Sequence, residues 1–142
     1  MDTVGSLIDK MSIAEKRISV TADASVVYEI KQQLGWMLLE IAHNIIDGYS
    51  GSRPLMFKKH KVYDKDVKSF ENMGVTGLLP LIQTLKEHNN KLWELEDTRR
   101  NKSLSDEERL AAADEVSVYN KKRNDTIDLI DENINSWISS IK

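Results

Sequence analysis

The sequence predicts an all-α protein: a four-helix-type bundle with an irregular basic loop and a long C-terminal helix. Three observations lead there. Apolar residues recur at spacings of three and four along most of the chain, the period of one helical face. Two prolines and six glycines in 142 residues leave long uninterrupted stretches for helix. Leu, Ile, Glu, Lys, Asp and Asn dominate while aromatics stand at 6%, a balance that favours helix over sheet. A single helical domain over 1–142 is expected, long enough to bury roughly two thirds of its unfolded surface.

The first helix is expected from Thr3 to about Ser19, with Val4, Leu7, Ile8, Met11, Ala14 and Ile18 as its apolar stripe. Asp23 is placed to cap a second helix carrying Val26, Val27, Ile30, Leu34, Met37, Leu38, Ile41 and Ile45, with Gly48 as its expected stop. The glycines, serines and proline of "GYSGSRPLMFKKHKVYD" then break any period, making this the longest irregular segment. A short helix from about Lys65 to Met73 follows, ended by Gly74. Thr76 can cap the next helix, with Pro80 in the first turn, where a missing N–H costs little. That helix continues to about Asn101. In "SDEE", Ser105 and Glu108 have capping-box spacing, and nothing after them interrupts a helix of more than 30 residues.

No cysteine is present, which removes disulfides, thiolate metal sites and cysteine nucleophiles. The N-terminus has no continuous apolar run, so neither a secretory signal nor a membrane span is expected, and the default location is cytoplasmic. A net charge of −3 argues against general nucleic-acid binding. The charge is uneven: Arg53 to Lys68 holds six Lys/Arg against two Asp, and Glu94 to Glu132 twelve acids against seven bases. Arg53, Phe57, Lys58, Lys59, His60 and Lys61 therefore form a candidate surface for a partner or an anion. The simpler reading of that segment is a solvated loop whose Leu55, Met56 and Phe57 tuck beneath the bundle.

Polar residues interrupt the apolar stripes. On the fourth helix the face set by Leu78, Leu81, Ile82, Leu85, Leu92 and Trp93 includes Glu96 near its centre and Asn89 beside it, with Asp97 at the margin. The last helix carries Ala112, Val116, Tyr119, Ile127, Ile130, Ile134, Ile138 and Ile141, and on that stripe sits Arg123, flanked by Asn120, Asn124 and Asp131. A short connection makes these two helices antiparallel, and Asn89 is the closer match in level to Arg123. A buried arginine must be met by a carboxylate or several carbonyls, because an unmatched buried charge is unstable. Glu15, between Met11 and Ile18, is a further candidate. A polar cluster drawn from Glu15, Asn89, Glu96, Asn120, Arg123 and Asn124 is thus expected inside the bundle. It is either a network that fixes helix register or a site in which Arg123 holds an anionic ligand.

"LWELED" (Leu92 to Asp97) followed by "NKKRNDTIDLID" (Asn120 to Asp131) resembles an uncharacterised bacterial domain family of unknown function, with the pattern LW-x-x-ED and then N-x-x-RND-x-I-x-x-ID. The resemblance covers about residues 82–134. It implies a helical hairpin in which Trp93, Glu96, Asp97, Asn120, Arg123, Asn124 and Asp131 belong together. The opening "GSLIDKMSI" is similar to the start of short bacterial and phage proteins of unknown role.

Other chemistry is weaker. Glu94 to Asp97 and Asp128 to Asp131 have ExxD-like spacing, superficially similar to all-α nucleotide pyrophosphohydrolases that hold magnesium, but the double-glutamate helix of those enzymes is missing and Asp128 is expected to face solvent. Glu40, His43 and Asp47 share one side of the second helix with Trp36, where local i,i+4 pairing accounts for them better than a metal. His60 and His88 have no acid partner or nucleophile at readable spacing. No cofactor or metal is expected. A non-enzymatic interaction or adaptor protein, self-associating or binding a protein partner and not a membrane, is the first expectation; the last helix is long enough to overhang the bundle, with Trp137 near an end that can pair with another subunit. The alternative is a small-molecule or nucleotide-binding enzyme, of a magnesium-dependent phosphohydrolase kind, using the acidic and Arg123 cluster.

Overall fold

The structure, a computed structural model, describes residues 2–56 and 77–142. Four helices run through them: α1 (Val4–Val20), α2 (Ala24–Ser50), α3 (Leu78–Arg100) and α4 (Asp106–Ile141), with no strand among the described residues. Most of the basic loop, the expected short helix after it and the Thr76 cap lie outside the described residues.

Helix starts follow the polar signals. The Thr3 hydroxyl accepts from Ser6 N–H at 3.1 Å, and the Asp23 carboxylate from Ser25 N–H at 2.9 Å. Ser105 and Glu108 form the full capping box, each satisfying a backbone donor that a helix end otherwise leaves open. Gly77, with no side-chain cap bond, occupies the N-cap of α3. α2 does not stop at Gly48 but runs on to Ser50, and Gly51, at φ 79°, takes the left-handed C-cap position. Gly48 serves packing instead. The Leu55 side chain lies so close to its Cα that a β-carbon would overlap it, and Leu55 is thereby buried in the core.

α3 and α4 form an antiparallel hairpin with the largest helix–helix interface in the fold. Its turn is locally built: Asn101 Oδ1 accepts from Ser103 N–H at 3.0 Å, and Arg109 Nε donates to the Arg99 carbonyl at 3.0 Å. α1 packs against α2, α3 and α4, whereas α2 packs against α1 and α4 but not α3. α1 is therefore the middle helix. The apolar core of Val4, Leu55, Leu81, Leu85, Leu129, Ile130, Ile134 and Ile138 gathers at the hairpin's open end. Each fully buried leucine or isoleucine there stabilises the fold by about 1.5–3 kcal/mol.

The C-terminal end of α4 does not overhang. Ile138 belongs to that core and Trp137 packs on it, while Lys142 Nζ reaches the Gly48 carbonyl at 3.0 Å. Towards the hairpin turn, Leu110 and Val118 of this 36-residue helix are exposed.

A candidate pocket beside a buried ion pair

Gly5, Asp9 and Ser12 recur at i, i+4 and i+7 on α1 and are all buried, on a side turned roughly 160° from the Leu7–Met11–Ala14 stripe. A middle helix needs two buried sides, and this is the second. Gly5 N–H donates to Asp131 Oδ1 at 2.6 Å. A β-carbon on Gly5 would run into the Ile127 carbonyl and sit 2.9 Å from Asp131 Oδ1. The glycine thus lets α1 touch the backbone of α4.

One turn on, the Asp9 carboxylate, 3% exposed, accepts both arms of the Arg123 guanidinium, Nε to Oδ1 at 2.9 Å and Nη2 to Oδ2 at 2.5 Å. Asn89 Nδ2 adds a bond to Asp9 Oδ1 at 2.9 Å and approaches Ser12 Oγ at 3.3 Å. Three helices meet on one carboxylate. Its hydrogen bond and charge hold the Arg123 guanidinium above the usual arginine range, against the opposing effect of burial.

Arg123 and Asn89 also line a partly open cavity of about 320 Å³ between α1, α3 and α4. Ile13, Leu92, Trp93 and Val116 give it apolar walls, and Asn120, Glu96, Asp97 and Arg100 complete the lining. Glu96 leans to the rim, bound by Arg99 at 2.6 Å with Arg100 at 3.7 Å. Beside the cavity His88 meets Tyr119 edge to face, ring centroids 5.8 Å apart. Burial, reinforced by Lys122, holds the imidazole below its ordinary value. Amides and a tryptophan over an apolar floor suit a small flat polar molecule. An anion is less well served, since Asp9 already neutralises Arg123.

The structure thus brings together six of the residues that the sequence singles out: Asn89, Trp93, Glu96, Asp97, Asn120 and Arg123. Asn89 and Arg123 stand at one level through their shared acid. Three others lie elsewhere. Glu15 is half exposed and pairs with Lys86 at 3.2 Å, where water keeps its charge solvated. Asn124, one residue past Arg123, is turned off the buried side and exposed. Asp131 is buried, but on the Gly5 contact. Asp128 is also buried, not solvent-facing as expected. Asp9 is the residue that sequence reading missed. Its signal was the flanking Gly5–Asp9–Ser12 stripe of small and polar residues, invisible when only apolar positions mark the buried side.

Of the basic loop, Arg53 stands 3.9 Å from Asp47, while Phe57, Lys58, Lys59, His60 and Lys61 lie outside the described residues. Glu40 and His43 are exposed on α2, and no group of three His, Cys, Asp or Glu among the described residues could hold a metal ion. No helix among the described residues is long and apolar enough to cross a membrane.

Residues 80–142 match the model of a family described as a protein of unknown function (DUF4254). The match spans nearly all of the α3–α4 hairpin and leaves α1 and α2 outside. No curated protein and no solved structure matches the chain.

Proposed function

We propose that this protein is a non-enzymatic interaction module that meets a protein partner through α2. One observation carries the reading: Tyr28, Trp36, Leu38, Leu39, Ile46 and Tyr49 are all more than half exposed on a single 27-residue helix. Isolated surface apolars need no explanation, but a run along one helix marks a contact surface. α2 already buries another side, through Ile30 and Asn44, so the outward residues are not the ones that fix it to the bundle. The test is Leu39→Glu with Ile46→Glu. Unchanged helix content and thermal unfolding in dilute solution, with loss of binding to an apolar dye, is the expected result. Marked destabilisation of the dilute protein would show that these side chains support its own fold, and would overturn the reading.

A second reading is favoured by the cavity, whose volume of about 320 Å³ falls at the small end of ligand sites. Thermal unfolding screened against small planar polar compounds such as nucleobases and nucleosides, with nucleotides and sugar phosphates beside them, tests it. A ligand at 100 times its Kd adds about 2.7 kcal/mol, and a true occupant of the cavity loses that shift in Trp93→Ala. No shift from any compound leaves α2 as the working surface.

A further inference from the structure

The outward side of α2 has a pattern that its own fold does not use. Tyr28, Gly35, Ala42 and Tyr49 follow one another at intervals of seven residues, so they form one nearly straight line along the helix. Leu39 and Ile46 run beside that line, and Leu38 lies at its other edge. The spacing reads the same from either end: tyrosine, small, small, tyrosine, with its midpoint between Leu38 and Leu39. Gly35 is the second, independent sign. A β-carbon there would meet nothing within 4 Å. Nothing among the described residues therefore needs a glycine at a mid-helix position where it lowers helix stability. A glycine on an open helix surface suits the close approach of another backbone.

We infer that this face binds a second copy of the chain, α2 against α2, antiparallel about a two-fold axis at Leu38/Leu39. This deepens the proposal that α2 is the contact face and rests on it. A two-fold interface must be complementary to itself, and the palindromic spacing supplies that. Gly35 of one copy faces Ala42 of the other, letting the axes come close. The two leucine pairs meet at the centre, and each Tyr28 lies beside the other copy's Tyr49, hydroxyls at the rim.

Charge selects the same direction. The last turn of α2 has no basic residue, so the partial negative charge of its carbonyls is uncompensated. In the antiparallel pair Lys31 stands opposite the second copy's Ile46, within reach of that turn. A parallel pair would set Lys31 against Lys31 and align the two helix dipoles unfavourably.

The area also suffices. Tyr28 is 64%, Leu39 55%, Ile46 61% and Tyr49 53% exposed. The two tyrosines alone offer on the order of 250 Å². With the leucines, Ala42, Ile46 and the stem of Lys31, the area available along the seam is roughly 700 Å² per copy, against the ~600–1,000 Å² that a standard interface takes from each partner.

The experiment uses the full chain, which contains no cysteine, so introduced thiols report without background. Sedimentation velocity at micromolar concentration is expected to give a dimer. Leu39→Glu is expected to weaken it about a hundredfold or more, because two carboxylates would be buried without partners. Direction comes from mild oxidation. Tyr28→Cys mixed with Tyr49→Cys should form a disulfide-linked dimer, whereas Tyr28→Cys alone should not, its two copies lying about 32 Å apart. Self-linking of Tyr28→Cys, or a monomer at every concentration, overturns the antiparallel dimer. If that monomer also tolerates Leu39→Glu without loss of stability, α2 remains a contact face for a different protein. If Leu39→Glu destabilises the dilute monomer, both the dimer and the contact-face reading fall.

Discussion

Removing Asp9 should be among the most damaging single changes in the protein, and removing its partner at the same time should repair most of the damage. Asp9→Val takes away the carboxylate that accepts Arg123 Nε, Arg123 Nη2 and Asn89 Nδ2. Breaking a buried pair from one side costs about 3–5 kcal/mol. The Arg123 side chain is 28% exposed through the cavity, so part of its charge rehydrates and about 2–4 kcal/mol is the better expectation. Arg123→Met is harsher, about 3–5 kcal/mol, because the acid it abandons is almost fully buried. The double variant puts two apolar side chains of similar volume together and should lie within about 1–2 kcal/mol of the parent, since well-packed apolar replacements of buried pairs are often tolerated. The coupling energy is then about 3 kcal/mol or more. Urea unfolding at neutral pH measures it. With a slope near 2 kcal/mol per molar, Asp9→Val lowers the midpoint by roughly 1–2 M. Singles that each cost under ~1 kcal/mol, or a double equal to their sum, would refute the description of one coupled site joining three helices.

Other consequences are measurable in the same way. Gly5→Ala should destabilise by about 1–3 kcal/mol, because the new methyl meets the Ile127 carbonyl and α1 must lift off α4; unfolding midpoints compared with Ser6→Ala as control report this. The Asn133 side chain is buried, with neither its oxygen nor its nitrogen bonded to any of the described residues, so Asn133→Leu should raise stability by about 1 kcal/mol or more in thermal unfolding. The His88 imidazole is held below its ordinary value of 6.5 by burial and Lys122. The unfolded chain therefore takes up its proton first as pH falls. Stability from His88 is whole above pH 6.5 and is lost as pH drops through its native value, and His88→Phe should flatten that part of the stability–pH curve.

Much of the architecture could be read in advance because caps and periodicity are local signals. Asp23, Ser105 and Glu108 mark helix ends that the chain does use, and Asn89 and Arg123 stood out as polar residues on apolar stripes. What could not be read is which helix lies in the middle. That depends on how the elements pack, and it decides that α1 has two buried sides. So Asp9, on the unmarked side, went unseen, while Glu15, on the marked side, is in water. The Gly48 stop failed for a related reason. A glycine near a helix end can serve a left-handed cap or a close approach, and only the distant Leu55 shows which.

The core's position towards one end of the hairpin divides α4 into two unequal regimes. From Asp125 to Ile138 its backbone is clamped by α1, α3 and Leu55. From Asp106 to about Tyr119 it leans on α3, with a capping box and a turn hydrogen bond to hold the tip. A continuous helix can still open in parts. Amide protons around Ile130 should exchange only through global unfolding, while those around Ala112 exchange through fraying of the tip, which also opens the outer wall of the cavity at Val116. The width of that partly open cavity would then follow the stability of the hairpin tip, and would grow as the tip is loosened without any change at the Asp9–Arg123 pair.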